Sequence, residues 1–237
     1  MPLLCTNGKT VFFSHIPKTG GTSVQNYLLN RFGPLLMLGR NHPDPRGRSV
    51  ITSAAHFSAL DLEELLPENL AWSFAIVREP AERLKSEYRF QQGKSRASQL
   101  SFSTWLRVMI SAARREPRIY ENHIRPQVDF LPKGAVAFRL EDGIDAFIPH
   151  LDEIVGKKNE NIKIEHLLTS KALPITLTRQ DARIISEYYA EDYKRFGYPK
   201  IESSELASDQ WSTIRGLIAK LLGHAIVLHQ HRIWLKL

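Results

Sequence analysis

A single cysteine, Cys5, stands in 237 residues. No disulfide can form within the chain, and a reducing cytoplasm fits it. Long apolar runs are also missing: none approaches the ~20 residues that a membrane-spanning helix needs. Met1 to Lys9 has neither the basic start nor the apolar centre of a secretory leader, so a cytoplasmic chain without an anchor is expected. No Cys or His residues have zinc-site spacing, and the nine histidines are scattered. His224, His229 and His231 cluster near the C-terminus, where a solvated tail is expected rather than a metal patch, and no metal is expected elsewhere. There is no internal repeat, no low-complexity segment and no signature of a nucleic-acid-binding module, so nucleic acid is not expected as a partner.

What is present begins with charge. Lysine and arginine number 32 against 25 aspartates and glutamates, a net charge of +7. That excess by itself favours an anionic partner, whether nucleotide, acidic glycan, nucleic acid or membrane surface, without choosing among them. An apolar content of 43% is ordinary for a globular domain and allows a sizeable core.

The densest chemistry lies in Val11 to Ser23, which reads Val-Phe-Phe-Ser-His-Ile-Pro-Lys-Thr-Gly-Gly-Thr-Ser. An apolar run feeds a Pro/Gly-rich turn, and the turn opens into the amphipathic stretch Val24 to Phe32, closed by Gly33: strand, loop, helix. Two glycines let the backbone turn tightly and approach a ligand. The first amides of a helix lack intrahelical partners and sit at the positive end of its dipole. Lys18 adds a full charge, and Thr19, Thr22 and Ser23 add hydroxyls. Lys18, Thr19, Gly20, Gly21, Thr22 and Ser23 therefore form a candidate pocket for a phosphate or sulfate group. This is not a Walker A loop, which ends in Gly-Lys-Ser/Thr, and no downstream residue clearly supplies a Walker B aspartate. The plain alternative is an ordinary strand-to-helix turn with a solvent lysine.

Residues 33 to 49 are rich in Gly, Pro, Arg and Asn, and read as a long basic loop that either covers a ligand or simply lies on the surface. A second short strand is expected over Ser49 to Ala55, delivering His56. A polar side chain at the carboxyl end of a parallel strand lies where ligands bind in open α/β sheets, so His56 is a candidate general base, with a structural histidine as the alternative. Asp61 is expected to start a short turn over Leu62 to Leu66. Trp72 to Val77 is a third, nearly continuous apolar strand, as expected of a buried parallel strand. It delivers Arg78, and a helix over Ala81 to about Phe90 carries Ser86. A guanidinium and a hydroxyl so placed can hold one phosphate; an ion pair of Arg78 with Glu79 or Glu82 is the alternative. A core helix around Trp105 to Ile110, a strand over Ala135 to Glu141 and an amphipathic stretch from Asp142 to Val155 follow. A capped helix is expected from Thr178 to about Phe196. Gln210 to Leu222 has Trp211, Ile214, Leu217, Ile218, Leu221 and Leu222 on one side, with Gly223 as punctuation.

These motifs carry a resemblance. His15 to Ser23 is similar to the 5′-phosphosulfate loop of sulfotransferases, the carbohydrate and heparan sulfate 2-O-sulfotransferase branch in particular. Ile76 to Tyr88 resembles the family's 3′-phosphate motif, Val-Arg-Asp-Pro-x-x-Arg-x-x-Ser-x-Tyr; Arg78 and Ser86 fall on its two phosphate ligands, with Glu79 as a conservative departure. His56-Phe57 matches the step that bears the family's proposed catalytic base. His123-Ile124-Arg125-Pro126-Gln127 resembles a His-Trp-Arg-Pro-Gln segment, with Ile124 replacing tryptophan; the resemblance implies that His123, Arg125 and Gln127 line the active-site mouth, and a plain turn at Pro126 is the alternative. Tyr188 to Tyr198 is similar to a late Tyr-rich element that packs the fold.

The resemblance covers most of residues 10 to 198. It implies an α/β, three-layer P-loop-like sulfotransferase fold with a central, mostly parallel sheet. It implies sulfuryl transfer from 3′-phosphoadenosine 5′-phosphosulfate to an acceptor hydroxyl, on a carbohydrate or glycoconjugate, with adenosine 3′,5′-bisphosphate as product and no metal. His56 and Lys18 would be catalytic; Lys18 to Ser23, Arg78 and Ser86 would bind the donor. Animal relatives are Golgi membrane proteins with an N-terminal anchor, so a bacterial-type cytoplasmic chain is expected unless an anchor precedes it.

The expected organisation is a sulfotransferase domain over residues 1–200 and an amphipathic helical extension over 201–237. That extension would dock on the domain, pair two copies as a homodimer, or lie on a membrane; docking or dimerisation is favoured. Two other functions stay open: a P-loop-type phosphotransferase, which predicts magnesium-dependent ATP turnover, and a non-catalytic binder of polyanions, which predicts salt-sensitive binding without transfer.

Overall fold

The structure is a computed structural model that describes residues 1–36, 56–62, 65–92, 99–156, 162–165 and 174–234, with side chains as far as residue 229. In chain order its elements are β1 (Leu3–Thr6), β2 (Lys9–Ser14), α1 (Gly21–Phe32), α2 (Ala59–Leu62), β3 (Trp72–Val77), α3 (Pro80–Gln91), α4 (Phe102–Ala113), α5 (Ile119–Asn122), β4 (Val136–Arg139), α6 (Ile148–Val155), α7 (Arg179–Tyr188), α8 (Ala190–Phe196) and α9 (Ser212–Trp234). This is a mixed α/β fold whose sheet runs β1-β2-β3-β4, antiparallel between β1 and β2 and parallel across β2-β3-β4. It is consistent with a sulfotransferase fold. The chain divides into two compact units, Met1–Arg78 with Gln127–Thr169 and Glu79–Pro126 with Ser170–Leu237.

The first unit holds the sheet. β1, not expected from the sequence, contains Cys5 and pairs with β2 through a hairpin at Asn7-Gly8, where both residues have positive φ (49° and 69°). Asn-Gly is the preferred dipeptide for that two-residue turn, so the signal was present in the chain. The three other strands match expectation closely. Phe13, Phe74 and Phe147 stack at 5.0 and 4.7 Å, and Val24, Leu28 and Leu151 join them in one buried cluster that seats α1 and α6. Arg31 of α1 is buried, pairs with Asp152 and donates to the Tyr27 hydroxyl at 2.6 Å.

Two local expectations change. Leu140–Asp142 is a short 3-10 helix, residues 144–147 are turns and α6 begins only at Ile148. Gly143 takes φ 117° there, outside the right-handed helical region, so the amphipathic pattern from Asp142 does not propagate as one helix. The turn near Asp61 is α2, where the Asp61 carboxylate accepts from the Ser58 amide at 2.9 Å and the Ser58 hydroxyl at 2.6 Å. The expected strand over Ser49 to Ala55 and the loop at Arg40, Arg46 and Arg48 lie outside the described residues.

The second unit is helical. α4 is buried almost all round, its polar Ser103, Thr104 and Arg107 included. The helix expected from Thr178 keeps its capping box with Asp181 but breaks at Tyr189 into α7 and α8. Gly223 does not end α9: a Cβ there would lie 2.9 Å from Ser111 Oγ and 3.1 Å from the Ala112 amide nitrogen, so the glycine permits a close approach of α9 to α4. Arg107 ties the unit together. Its guanidinium donates to Asp181 at 2.7 Å and to Asp209 at 3.1 Å, and Asp209 also accepts from Arg215 at 2.8 Å. Ser103 completes the Asp181 carboxylate at 2.6 Å.

Replacing Arg107 with alanine takes the cation from the buried Asp181 carboxylate and leaves Asp209 with Arg215, and about 3–5 kcal/mol of unfolding free energy should be lost. Urea denaturation of Arg107→Ala beside the parent chain measures this; a loss below about 1 kcal/mol would mean that water or other partners replace the guanidinium.

Candidate functional site

The loop between β2 and α1 starts from a strand packed into the core, so its base is rigid. Ser14 donates to the Phe130 carbonyl at 2.7 Å, and Thr19 donates to the Ile16 carbonyl at 3.0 Å. The Thr19 proton is thus used inside the loop, where it shapes the turn. Lys18, half-buried, has φ 69°, a left-handed conformation that a lysine rarely adopts. Such strain persists only where the surroundings over-determine it.

Gly20 is the N-cap of α1, with φ 84° and ψ 10°. A side chain there would meet both the φ penalty and Ile144 Cδ1 at 2.9 Å. Because Gly20 has no side chain, none caps α1, and the opening amides of the helix keep their donor character. Gly21 is needed for a different reason: a Cβ would fall 2.0 Å from Cδ2 of His15. The His15 ring therefore lies flat against the first turn of α1. It also stacks on Phe13 (centroids 5.8 Å apart) and meets His56 edge-on at 5.0 Å. Thr22 is exposed and Ser23 buried.

His56 comes to this loop. Its Nδ1 lies 3.3 Å from the His15 carbonyl oxygen. A carbonyl only accepts, so that bond needs the proton on Nδ1, and a neutral His56 then carries its lone pair on Nε2. Arg78 comes to the loop as well, from the carboxyl end of β3. Its Nη1 lies 3.5 Å from the Lys18 carbonyl, a long contact. Among the described residues no carboxylate pairs with Arg78; Glu79 instead accepts from the Glu82 amide at 2.7 Å, capping α3, and from the Tyr193 hydroxyl at 2.6 Å. Lys18 to Ser23, His56 and Arg78 thus belong to one compact unit. Ser86 is half-buried on α3, in the other unit.

Gln127 was legible only as part of a motif, and its role comes from the structure. Its carboxamide is fully buried and grips the Arg78 peptide at both ends: the Arg78 amide donates to Oε1 at 2.9 Å and Nε2 donates to the Arg78 carbonyl at 2.8 Å. A side chain here acts as an extra strand residue and fixes where the guanidinium starts.

The neighbouring part of that motif is held within the second unit. Tyr120, Glu121 and Asn122 all have positive φ, so α5 is a left-handed turn in its last three residues. Three successive carbonyls after it are each gripped by a buried side chain. Arg83 donates to His123 at 3.0 Å and to Arg125 at 2.9 Å, and Tyr189 donates to Ile124 at 2.6 Å. His123 Nδ1 meets Glu87 at 2.7 Å. Burial pushes the Tyr189 and Tyr193 phenols well above their ordinary range, so both remain protonated donors. Arg83, Glu87 and Tyr189 escaped sequence reasoning as positioning residues, although Arg83 stands at the family motif's second arginine. Among the described residues no group of three or more His, Cys, Asp or Glu side chains could hold a metal ion.

A protein-family model described as the sulfotransferase family matches residues 2–142, more than half of the chain. Comparisons with curated proteins and with solved structures gave no match.

The packing of His15 on α1 gives a direct test. Gly21→Ala must displace the His15 ring and should cost about 1–3 kcal/mol of stability, whereas Thr22→Ala, at an exposed position, should cost under about 0.5 kcal/mol. Parallel denaturant titrations compare the two; equal costs would remove the close-contact account.

Proposed function

Because the chain belongs to the sulfotransferase family, we propose that it moves a sulfuryl group from 3′-phosphoadenosine 5′-phosphosulfate to an acceptor hydroxyl, and that the acceptor is a carbohydrate, as the motifs of the heparan sulfate 2-O branch suggest. The observation that carries this reading is Arg78. Its peptide is fixed by the Gln127 clamp, and its guanidinium reaches the Lys18 carbonyl and has no carboxylate partner among the described residues. A half-buried guanidinium kept without a counter-charge suits an anionic group of a ligand. The uncapped amides at the start of α1 suit a second anionic group. A donor with phosphate on both the 3′ and 5′ sides of one nucleoside fits two such positions.

In this mechanism His56 takes the acceptor's hydroxyl proton on Nε2, while its Nδ1–H keeps donating to the His15 carbonyl oxygen. The acceptor oxygen forms its bond to sulfur as the bond from sulfur to the bridging phosphate oxygen breaks. Lys18 and the amides of Gly20, Gly21 and Thr22 neutralise the charge that grows on that oxygen. Thr19 and Ser23 complete the loop that holds this end of the donor. Arg78 binds the 3′-phosphate and so orients the donor; Ser86 joins it on the strength of the motif alone. Cationic side chains and helix amides supply the stabilisation this requires from the protein. The sulfotransferase domain is proposed to span residues 1–200, with 201–237 as its extension.

Calorimetric titration with adenosine 3′,5′-bisphosphate, without added metal, tests the donor site. The parent chain should bind, and Arg78→Ala should weaken binding by on the order of 10- to 100-fold. His56→Ala should leave that affinity unchanged and lower turnover by about 10²–10⁴-fold. A folded parent chain that fails to bind the nucleotide would overturn the reading, and full activity of His56→Ala would move the base to His15 or His123.

A further inference from the structure

α9 has two unlike faces. On the side that meets α4, Ala219 and Gly223 are buried, a Cβ on Gly223 would lie 2.9 Å from Ser111 Oγ, and Ile226 and Val227 are half-buried. Other bulky residues point the other way. Ile214, Leu217, Ile218, Leu221 and Leu228 are exposed, Leu217 by 60% and Leu221 by 74%, and Trp211 at the start of the helix is 53% exposed. At 100° per residue these side chains fill an arc of about 120° along a helix about 35 Å long. A soluble helix normally turns such a stripe inward; here it faces outward. An exposed contiguous apolar face of this kind marks an interaction surface.

The charge around the stripe says what covers it. From Gln210 to Leu237 there is no aspartate or glutamate; Arg215 is paired with Asp209, while Lys220, Arg232 and Lys236 carry positive charge and three histidines accompany them. Lys220 and His224, both exposed, flank the apolar arc one turn apart, with Thr213 on the same side. Two copies of α9 laid face to face would set these cationic flanks together with no acidic residue in either helix to pair them, an arrangement that opposes self-association. Anionic headgroups supply the missing charge, and an apolar face of about 120° with an indole at its edge suits the headgroup–acyl boundary. Among the described residues no helix is long and apolar enough to cross a membrane, so the helix would lie along the surface.

We propose that the outer face of α9 docks the protein on an anionic membrane surface, with Leu217 and Leu221 entering the boundary and Lys220 against the headgroups. This goes beyond the proposed transfer reaction and does not depend on it.

The test is sedimentation of the full chain with sucrose-loaded vesicles of pure phosphatidylcholine or of phosphatidylcholine with about one quarter phosphatidylglycerol. Binding should appear on the anionic vesicles only and weaken at high salt. The double variant Leu217→Glu/Leu221→Glu should lose on the order of tenfold or more in partition, and Lys220→Glu should lose less. Both leucines are exposed, so circular dichroism and thermal midpoint should be those of the parent chain. Absence of binding to anionic vesicles by the parent, or unchanged binding by the folded double variant, overturns the proposal. Light scattering decides the rival: a dimer that Leu217→Glu/Leu221→Glu converts to monomer, without vesicle binding, assigns the face to a second copy.

Discussion

The carboxamide of Gln127 on the peptide of Arg78 is the contact from which the candidate site is organised. β3 ends at Val77, and a strand end is free to fray unless its last backbone groups find partners. Gln127 supplies both an acceptor and a donor in full burial. The Arg78 side chain therefore leaves the sheet from a fixed point and reaches the Lys18 carbonyl. The same economy operates on the other strand, where Ser14 is tied to Phe130 just before the loop begins. Two parallel strands with anchored carboxyl ends present their loops on one edge of the sheet, the edge where open α/β folds bind ligands.

Backbone strain concentrates near these anchors. Lys18 and Gly20 have positive φ within three residues, and the turn at Tyr120 to Asn122 has three left-handed residues in a row. Each such non-glycine conformation costs of order 1–3 kcal/mol and needs surrounding structure to hold it. At the loop that structure is the Thr19 bond and the packing of Ile144 and His15 on Gly20 and Gly21. In the second unit it is Arg83 and Tyr189, which grip three consecutive carbonyls downstream of the left-handed turn. Residues that look like generic charge or bulk in the chain are the ones that keep these conformations in place.

The C-terminal helix is fastened by charge and shaped by size. Arg107, Asp181, Asp209 and Arg215 form a buried balanced network at its base. Beyond that network Ala219 and Gly223 are buried, and the glycine lets α9 pack closely on α4, while Leu217 and Leu221 stay outside.

The local pattern of the chain was enough for the strands at Val11, Trp72 and Val136, for the helix after Pro80, for the capping box at Thr178 and for the loop from Lys18 to Ser23. Each of these rests on neighbours in sequence: apolar runs, a proline at a helix start, a hydroxyl three residues from a carboxylate, glycines at a turn. The pairing of His56 with the His15 carbonyl, the clamp of Gln127 on Arg78 and the grip of Arg83 on residues 123 to 125 join residues 40 or more positions apart, and no periodicity encodes them. Gly223 shows the limit most plainly. In the chain it reads as a break; in the fold it is the residue that lets α9 continue against α4, because the absence of a Cβ is worth more to the contact than its helix propensity costs. What a residue prefers locally was written in the sequence. Which contact that preference would serve was decided only when distant segments came within bonding distance.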